Sequence, residues 1–364
     1  MDNHISSNTY CPCDSQAQVE NMTSLIYGYG KTGKSFERFL KNRNLKYEIF
    51  DKNNKKYNKD YEYKKYSQIL CSPGIPRSTY KELTQLNNNV LTDLDIFFKE
   101  DNSIKIGITG TNRKSTTAFH LYQLFEDFES ASLVGNIGNT LLDNINKAKY
   151  SIIELSSFQL DKMIENNLDF GILLNIDKDH IDYHGSFESY KIAKQRILES
   201  NKSISYELDP YKLFKWITKI KPRKINFKNL PYRYQSISKR VINDSKSTNF
   251  HSLSYAIKKA NFDFKDEEYI LITCGDPAKE DFRNIEILGP ELVYIFGEHS
   301  KEIDKCIIHN KKNVFDNLED IFKSFRDKLD SQNILFSPGY PSGKDYKDFE
   351  ERGDVFNKTL KKYL

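Results

Sequence analysis

A chain of 364 residues, 38% of them hydrophobic, is long enough for two or three domains with a core in each, and none of its apolar runs approaches the roughly 20 residues that span a bilayer. Its 55 basic and 51 acidic residues leave a net charge of +4 and are interleaved rather than blocked, which describes a solvated surface and not a nucleic-acid face. The five cysteines, at positions 11, 13, 71, 274 and 306, show neither paired C-x-x-C spacing nor the density of a disulfide scaffold, and read as reduced thiols in a cytosol.

Residues 1–21 are polar and lack an apolar segment, so they are not a secretory signal; they are expected as a disordered leader, with Met22 opening the first strand. Cys11 and Cys13 alone make a poor metal site. From residue 24 short apolar runs alternate with helical stretches: SLIYG, SFERFLKNRN, YEIFD, QILCS. The rhythm restarts at IKIGIT (104–109), continues through SIIELS (151–156) and FGILLNI (170–176), and starts a third time at YILITCG (269–275), ELVYIFG and NILFSPG. Such alternation predicts parallel βαβ units. The expected architecture is α/β in three domains, 22–100, 101–229 and 230–364.

Two loops compete for a phosphate. The first, GYGKTGKS (28–35), matches G-x-x-x-x-G-K-[ST] at every position and also contains G-x-G-x-x-G through Gly28, Gly30 and Gly33, with Asp51 ending the next strand. In a Rossmann unit these glycines permit a tight turn and close phosphate approach, and the acidic residue receives a ribose hydroxyl. A dinucleotide or nucleotide sugar, an ATP loop and a purely structural turn all remain open for it. The second, GITGTNRKST (107–116), misses the pattern because Arg113 stands where a glycine is expected before Lys114. Its backbone N–H groups are placed to cradle phosphate oxygens, with Lys114 toward the terminal phosphates and Ser115 toward Mg²⁺. Magnesium-assisted phosphoryl transfer also needs hard oxygen ligands at neighbouring strand ends. After the second loop SIIELS ends near Glu154, and FGILLNI runs into DKDHIDYHG with Asp179, His180, Asp182 and His184. Nothing comparable follows the first.

The stretches GYGKTG, CSPGIP (71–76), GITGTNRKSTT, VGNIG (134–138), ELSSFQL (154–160), NIDKDHIDYHGSFESYKIAKQRI (175–197), LPYRYQ (230–235), INDSKSTN (242–249) and SPGYPSGKDYKDFEERGDVF (337–356) together resemble the Mur ligases of peptidoglycan synthesis, in family order and across all three domains. The resemblance, strongest to the D-glutamate-adding branch, implies Rossmann-like first and third domains around a middle domain with a P-loop ATPase-like parallel sheet, and a cytoplasmic, monomeric, ATP-dependent amide ligase. Its substrates would be UDP-N-acetylmuramoyl-L-alanine and D-glutamate, with no nucleic-acid or membrane partner.

It also implies site residues. Lys31, Thr32, Asp51 and Gly74 lie at the uridine nucleotide, with Asn136 along the muramoyl-alanine arm. ATP falls to Gly110, Thr111, Asn112, Arg113, Lys114, Ser115 and Thr116, with Arg233 and Asp244 facing it from the third domain. Ser115 and Glu154 hold one Mg²⁺, while His180 and a Lys194 carbamylated by CO₂ hold a second; carbamylation turns a cation into an oxygen ligand. Lys246, Thr248, Ser342 and Phe349 receive D-glutamate, a cationic lysine with hydroxyl donors suiting a dicarboxylate. Without the motif, Lys194 reads as an exposed lysine on an amphipathic helix whose apolar face is Tyr190, Ala193 and Ile197, and His180 as a strand-end turn residue held by adjacent carboxylates. G-x-G-x-x-G alone points instead to an NAD dehydrogenase, but no hydride-transfer site accompanies it. A non-catalytic nucleotide-sugar binder and a ligase for another amino acid are further alternatives.

The chain departs from the family twice. Arg113 replaces a glycine, a strain of about 1–2 kcal/mol if its φ is left-handed. Between Lys194 and Asp244 several dozen family residues, including outer strands and an H-N-x-x-N segment near the adenine, are replaced by ESNKSISYELDPYKLFKWITKIKPRKINFKN. The expectation is a truncated middle sheet with a weaker adenine grip.

Overall fold

The computed structural model describes residues 23–265, 267–277 and 285–363, and the polar leader with Cys11 and Cys13 lies outside them. The chain divides after Phe227 into two compact units. The first unit holds two parallel sheets.

The amino-terminal sheet is built from β1 (Thr23–Tyr27), β2 (Lys46–Phe50), β3 (Gln68–Cys71) and β4 (Val90–Leu91), in the order β2-β1-β3-β4. Helix Lys31–Lys41 follows β1 and buries Phe36, Phe39 and Leu40, the i, i+3, i+4 spacing of one helical face, against Ile26, Ile49 and Leu70. Thr92 caps helix Asp93–Glu100 through a reciprocal capping box with Asp95. That helix turns Leu94, Phe97 and Phe98 onto the core of the second sheet.

The second sheet contains β5 (Ile104–Thr109), β6 (Ala131–Gly135), β7 (Tyr150–Glu154), β8 (Phe170–Leu173) and β9 (Lys202–Ser205), ordered β6-β7-β5-β8-β9. Because the chain leaves β5 toward β6 and later returns to its other side as β8, the carboxyl end of β5 is a topological switch point, where such sheets bind ligands. Helix Lys114–Phe128 leaves that point and buries Ala118, Leu121, Leu124 and Phe125.

The segment expected only to truncate this sheet also completes it. β9 pairs in parallel with β8 from Phe170↔Lys202 to Leu173↔Ser205. Helix Pro210–Thr218, capped by Asp209, packs Leu213, Phe214 and Ile217 into the same core, with the Phe214 and Phe125 rings 4.9 Å apart. Phe227 stacks on His120 at 4.4 Å. Apolar residues at helical spacing on an otherwise charged segment carry this closure.

The second unit is one mixed sheet of β10 (Gln235–Ser236), β11 (Val241–Asn243), β12 (Tyr269–Cys274), β14 (Leu292–Phe296), β16 (Lys312–Phe315) and β17 (Asn333–Phe336), ordered β10-β11-β17-β12-β14-β16, antiparallel only between β10 and β11. A separate two-stranded sheet pairs β13 (Ile285–Glu286) with β15 (Ile307–Ile308). Every residue of β12 is buried, as its unbroken apolar run requires for a central parallel strand. Cys71, Cys274 and Cys306 are free thiols.

Candidate functional site

The loop after β5 is held from both sides. The Thr111 amide donates to the Asn175 carbonyl at 3.1 Å, and the Asn112 amide to Asn175 Oδ1 at 2.8 Å. Thr111 Oγ1 also lies 2.9 Å from the Tyr190 hydroxyl. Asn175 therefore fixes the loop to the strand end beyond β8. Arg113 is the N-cap of helix Lys114–Phe128 with φ 64° and ψ 4°, the left-handed conformation a glycine would adopt freely. Lys114 Nζ donates to Thr111 O at 2.9 Å, Ser115 is buried and Thr116 half-buried. Arg113→Gly is expected to stabilise the protein by about 1 kcal/mol or less, because glycine's freedom in the unfolded chain cancels part of the relieved strain; urea unfolding measures it.

Glu154, at the tip of β7, is buried, and its Oε1 accepts from Asn136 Nδ2 at 2.9 Å. Its Oε2 has no hydrogen-bond partner. The pair is drawn close by Gly135, whose φ of +102° and contact with Glu154 O, only 2.4 Å from where a Cβ would stand, exclude other residues. Lys194 is only 1% exposed, which overturns the reading of a surface lysine. Its Nζ donates to Gly110 O at 2.7 Å and sits 4.9 Å from the centre of the Tyr190 ring. Burial first, and the Lys114 charge second, hold its ammonium well below the ordinary lysine value against the pull of Asp179 and Glu154.

Beyond β8, His180 is left-handed like Arg113, at φ 51°, and occupies the N-cap position of the short helix Ile181–His184. Strained backbone of this kind clusters at functional sites. Its amide donates to Asp179 Oδ1 at 2.9 Å, and burial lowers its imidazole below the usual histidine value. Among the described residues no three His, Cys, Asp or Glu side chains form a metal cage. Magnesium is commonly held by one or two carboxylates plus substrate phosphates rather than by such a cage. The orphaned, buried Glu154 oxygen beside the Ser115 loop fits that donor set.

A cleft of about 720 Å³ within the first unit is lined by all five residues expected at the UDP-sugar: Lys31, Thr32, Asp51, Gly74 and Asn136. Asp51 accepts from the Tyr29 amide at 2.7 Å and the Asn53 amide at 2.9 Å. Lys31 Nζ reaches Gly138 O at 2.7 Å. Ser35, which the perfect phosphate-loop pattern would turn toward a metal, is instead fully buried and donates to Thr140 Oγ1 at 3.0 Å. The flawless pattern is thus a Rossmann turn with its serine in the packing.

In the second unit β11 and β17 end side by side, and the loops leaving them meet. Asp244 Oδ2 accepts from Ser337 at 2.9 Å and Oδ1 from the Tyr234 amide at 2.8 Å, while burial pushes its carboxyl up to about 7. Arg233 adds an opposing charge effect on the same group. The Lys246 ammonium lies 4.0 Å over the Phe349 ring, which brings two expected D-glutamate residues together. Thr248 and Ser342 are half-buried on the same two loops.

Sequence reasoning missed Asn175 and Lys162. Lys162 is buried, pushed down to about 8 by burial, and donates to Pro73 O at 2.7 Å and to the Tyr183 hydroxyl, tying the cleft's SPG loop to the β8 tip. Nothing in a Lys at the end of a short helix signals that contact.

Residues 108–268 match the Mur ligase middle domain. The chain is 28% identical over 404 aligned positions to the UDP-N-acetylmuramoylalanine–D-glutamate ligase of Francisella philomiragia, covering 92% of this chain and 96% of that one. It is likewise 28% identical to the ligase of the same description from Francisella tularensis subsp. novicida, covering 92% and 95%. An alignment longer than the chain itself means that these relatives carry segments absent here. Among solved structures, the MurF ligase of Thermotoga maritima in complex with ADP superposes with a TM-score of 0.57 at 14% identity, covering 96% of this chain and 97% of that one. The UDP-N-acetylmuramate-alanine ligase MurC of Thermotoga maritima gives 0.56 at 12% identity, covering 94% and 100%. At such identities these two similarities bear on the fold alone.

Proposed function

We propose that this chain is a Mur ligase, an ATP-dependent amide ligase joining D-glutamate to UDP-N-acetylmuramoyl-L-alanine in the cytoplasm, for peptidoglycan precursor synthesis. The observation that carries this reading is the convergence, at the β5 switch point, of the Lys114 loop, the buried Glu154 carboxylate with its orphaned oxygen, and the buried Lys194.

The alanyl carboxylate attacks the γ-phosphorus of ATP, releasing ADP and leaving an acyl phosphate; the D-glutamate amine then adds to the acyl carbon, and phosphate departs as the amide forms. Such transfers ask mainly for positioning and charge neutralisation. The loop Gly110–Thr116 binds the triphosphate, its amides ordered by Asn175, and Lys114 offsets charge building on the transferred group. Asn136, fixed by Glu154, orients the muramoyl-alanine arm toward the loop. Lys31, Thr32, Asp51 and Gly74 bind the uridine nucleotide in the cleft. Arg233 and Asp244 act on ATP, and Lys246, Thr248, Ser342 and Phe349 receive the amino acid. Ser115, Glu154, His180 and carbamylated Lys194 would hold Mg²⁺, which neutralises phosphate charge when bound.

The test is phosphate release by purified protein with ATP, Mg²⁺, UDP-N-acetylmuramoyl-L-alanine and D-glutamate, each omitted in turn. Release that requires all four supports the reading. Binding of the UDP-sugar without ATP turnover, or ligation of a different amino acid in competition, overturns it.

A further inference from the structure

The cleft contains one acid with no assigned task. Asp93 opens helix Asp93–Glu100 just after β4, is 5% exposed, lines the cleft, and its Oδ1 has no hydrogen-bond partner. It is not needed as the helix cap, because Thr92 and Asp95 close that end reciprocally and Asp95 Oδ1 further accepts from the Ile164 amide at 2.9 Å. Asp51, by contrast, has both carboxylate oxygens bonded to backbone amides. A buried, unsatisfied acceptor costs about 1–3 kcal/mol, more if charged, and calls for a partner that the protein alone does not supply.

Its place says what that partner is. In the order β2-β1-β3-β4, Asp51 follows one edge strand and Asp93 the other, three strand spacings or roughly 14 Å apart. Between them lie the start of helix Lys31–Lys41, where the positive end of the helix favours phosphate, and the Ser72–Gly74 loop. A nucleotide sugar laid along this edge with its ribose at Asp51 and its diphosphate at the helix start carries its hexose to the β4 end. There Asn136 and Gln159 also line the wall. A carboxylate repels phosphate and accepts from hydroxyl or amide N–H groups.

We propose that Asp93 is a specificity-determining residue whose free carboxylate oxygen accepts a hydrogen bond from a hydroxyl or acetamido N–H of the substrate's hexosamine. Burial, which pushes this carboxyl up to about 7, is relieved in the unliganded protein by a proton and in the complex by the sugar's donor. The proposal rests on the UDP-sugar reading of the cleft.

Calorimetric titration of the full-length protein with UDP and with UDP-N-acetylmuramoyl-L-alanine, for wild type, Asp93→Leu and Asp93→Asn, tests it. Leu is expected to weaken the sugar nucleotide about ten- to a hundredfold while leaving UDP within about twofold, and Asn, which keeps a neutral acceptor of the same size, to fall between. The thermal midpoint of the unliganded Leu variant is expected to equal or exceed that of wild type, since an orphaned polar group has been removed. Should Leu fail to fold, a selective loss for the sugar nucleotide in Asn of threefold or more carries the same conclusion. Unchanged affinity for the sugar nucleotide in the variants, or an equal loss for both ligands, overturns the role of Asp93 and leaves the functional reading standing. Wild-type protein that binds neither ligand overturns the reading of the cleft and this inference with it.

Discussion

Lys194→Met is expected to lower ADP release to about a hundredth of the wild-type rate or less, the usual scale for losing one preorganised electrostatic group, while leaving the unliganded fold at least as stable. Lys194 is buried under Gly110 O with its ammonium held far below its ordinary value. Between that lowered value and about 10.4 the unfolded chain is protonated at this position and the folded chain is not, so folding expels a proton. The wild-type protein should therefore gain stability as pH rises through that window toward the ordinary lysine value, and Lys194→Met should lack that share of the gain. Urea unfolding at pH 7 and pH 9.5 reads the difference. The same shift favours the neutral amine, the form whose lone pair adds to CO₂, forming an N–C bond and losing a proton to give a carbamate. Wild-type turnover should fall in CO₂-depleted buffer and return with bicarbonate, and the Met variant should respond to neither. A Met variant with full activity would remove Lys194 from the chemistry, and a wild type indifferent to CO₂ would leave it there only as an amine.

Gly33→Ala is expected to destabilise the protein by about 2–3 kcal/mol and to abolish measurable UDP binding, although alanine inside an exposed helix normally gains nearly 1 kcal/mol over glycine. The sign reverses because a Cβ at Gly33 would stand 2.1 Å from the Gly28 carbonyl oxygen, a backbone atom that cannot rotate away. Helix Lys31–Lys41 must then lift from β1, opening the packing of Phe36 and Leu40 and moving Lys31 and Thr32 from the cleft wall. Thermal unfolding and UDP titration measure the two effects. A tolerated alanine with intact UDP binding would show that close helix-to-strand packing is not what this glycine serves.

How much of this was legible can be seen residue by residue. Strand β5 and the start of helix Lys114–Phe128 fall where the apolar run and the loop motif place them. The left-handed φ of Arg113 follows from a motif that wants glycine there. Other features were hidden by the length of the contacts they depend on. Lys194 reads as a surface residue on its own helix, because its burial is made by Gly110 and Thr109, more than eighty positions away in sequence. The segment after Lys194 reads chiefly as a loss, whereas Phe214 and Trp216 find partners in Phe125 and Phe170 that no local pattern announces.

The sequence by itself determined the α/β class, the alternation into parallel units and the residue types at each strand end, because period-2 and period-3.6 burial and turn chemistry act over a few neighbouring residues. Only the tertiary structure decided which loop is a packed Rossmann turn, which carboxylate oxygens stay unpaired in Glu154 and Asp93, and where a lysine loses its water. Those outcomes depend on desolvation and hydrogen-bond partners supplied across strand order, which exist only once β7, β5 and β8, and β3 and β4, lie side by side.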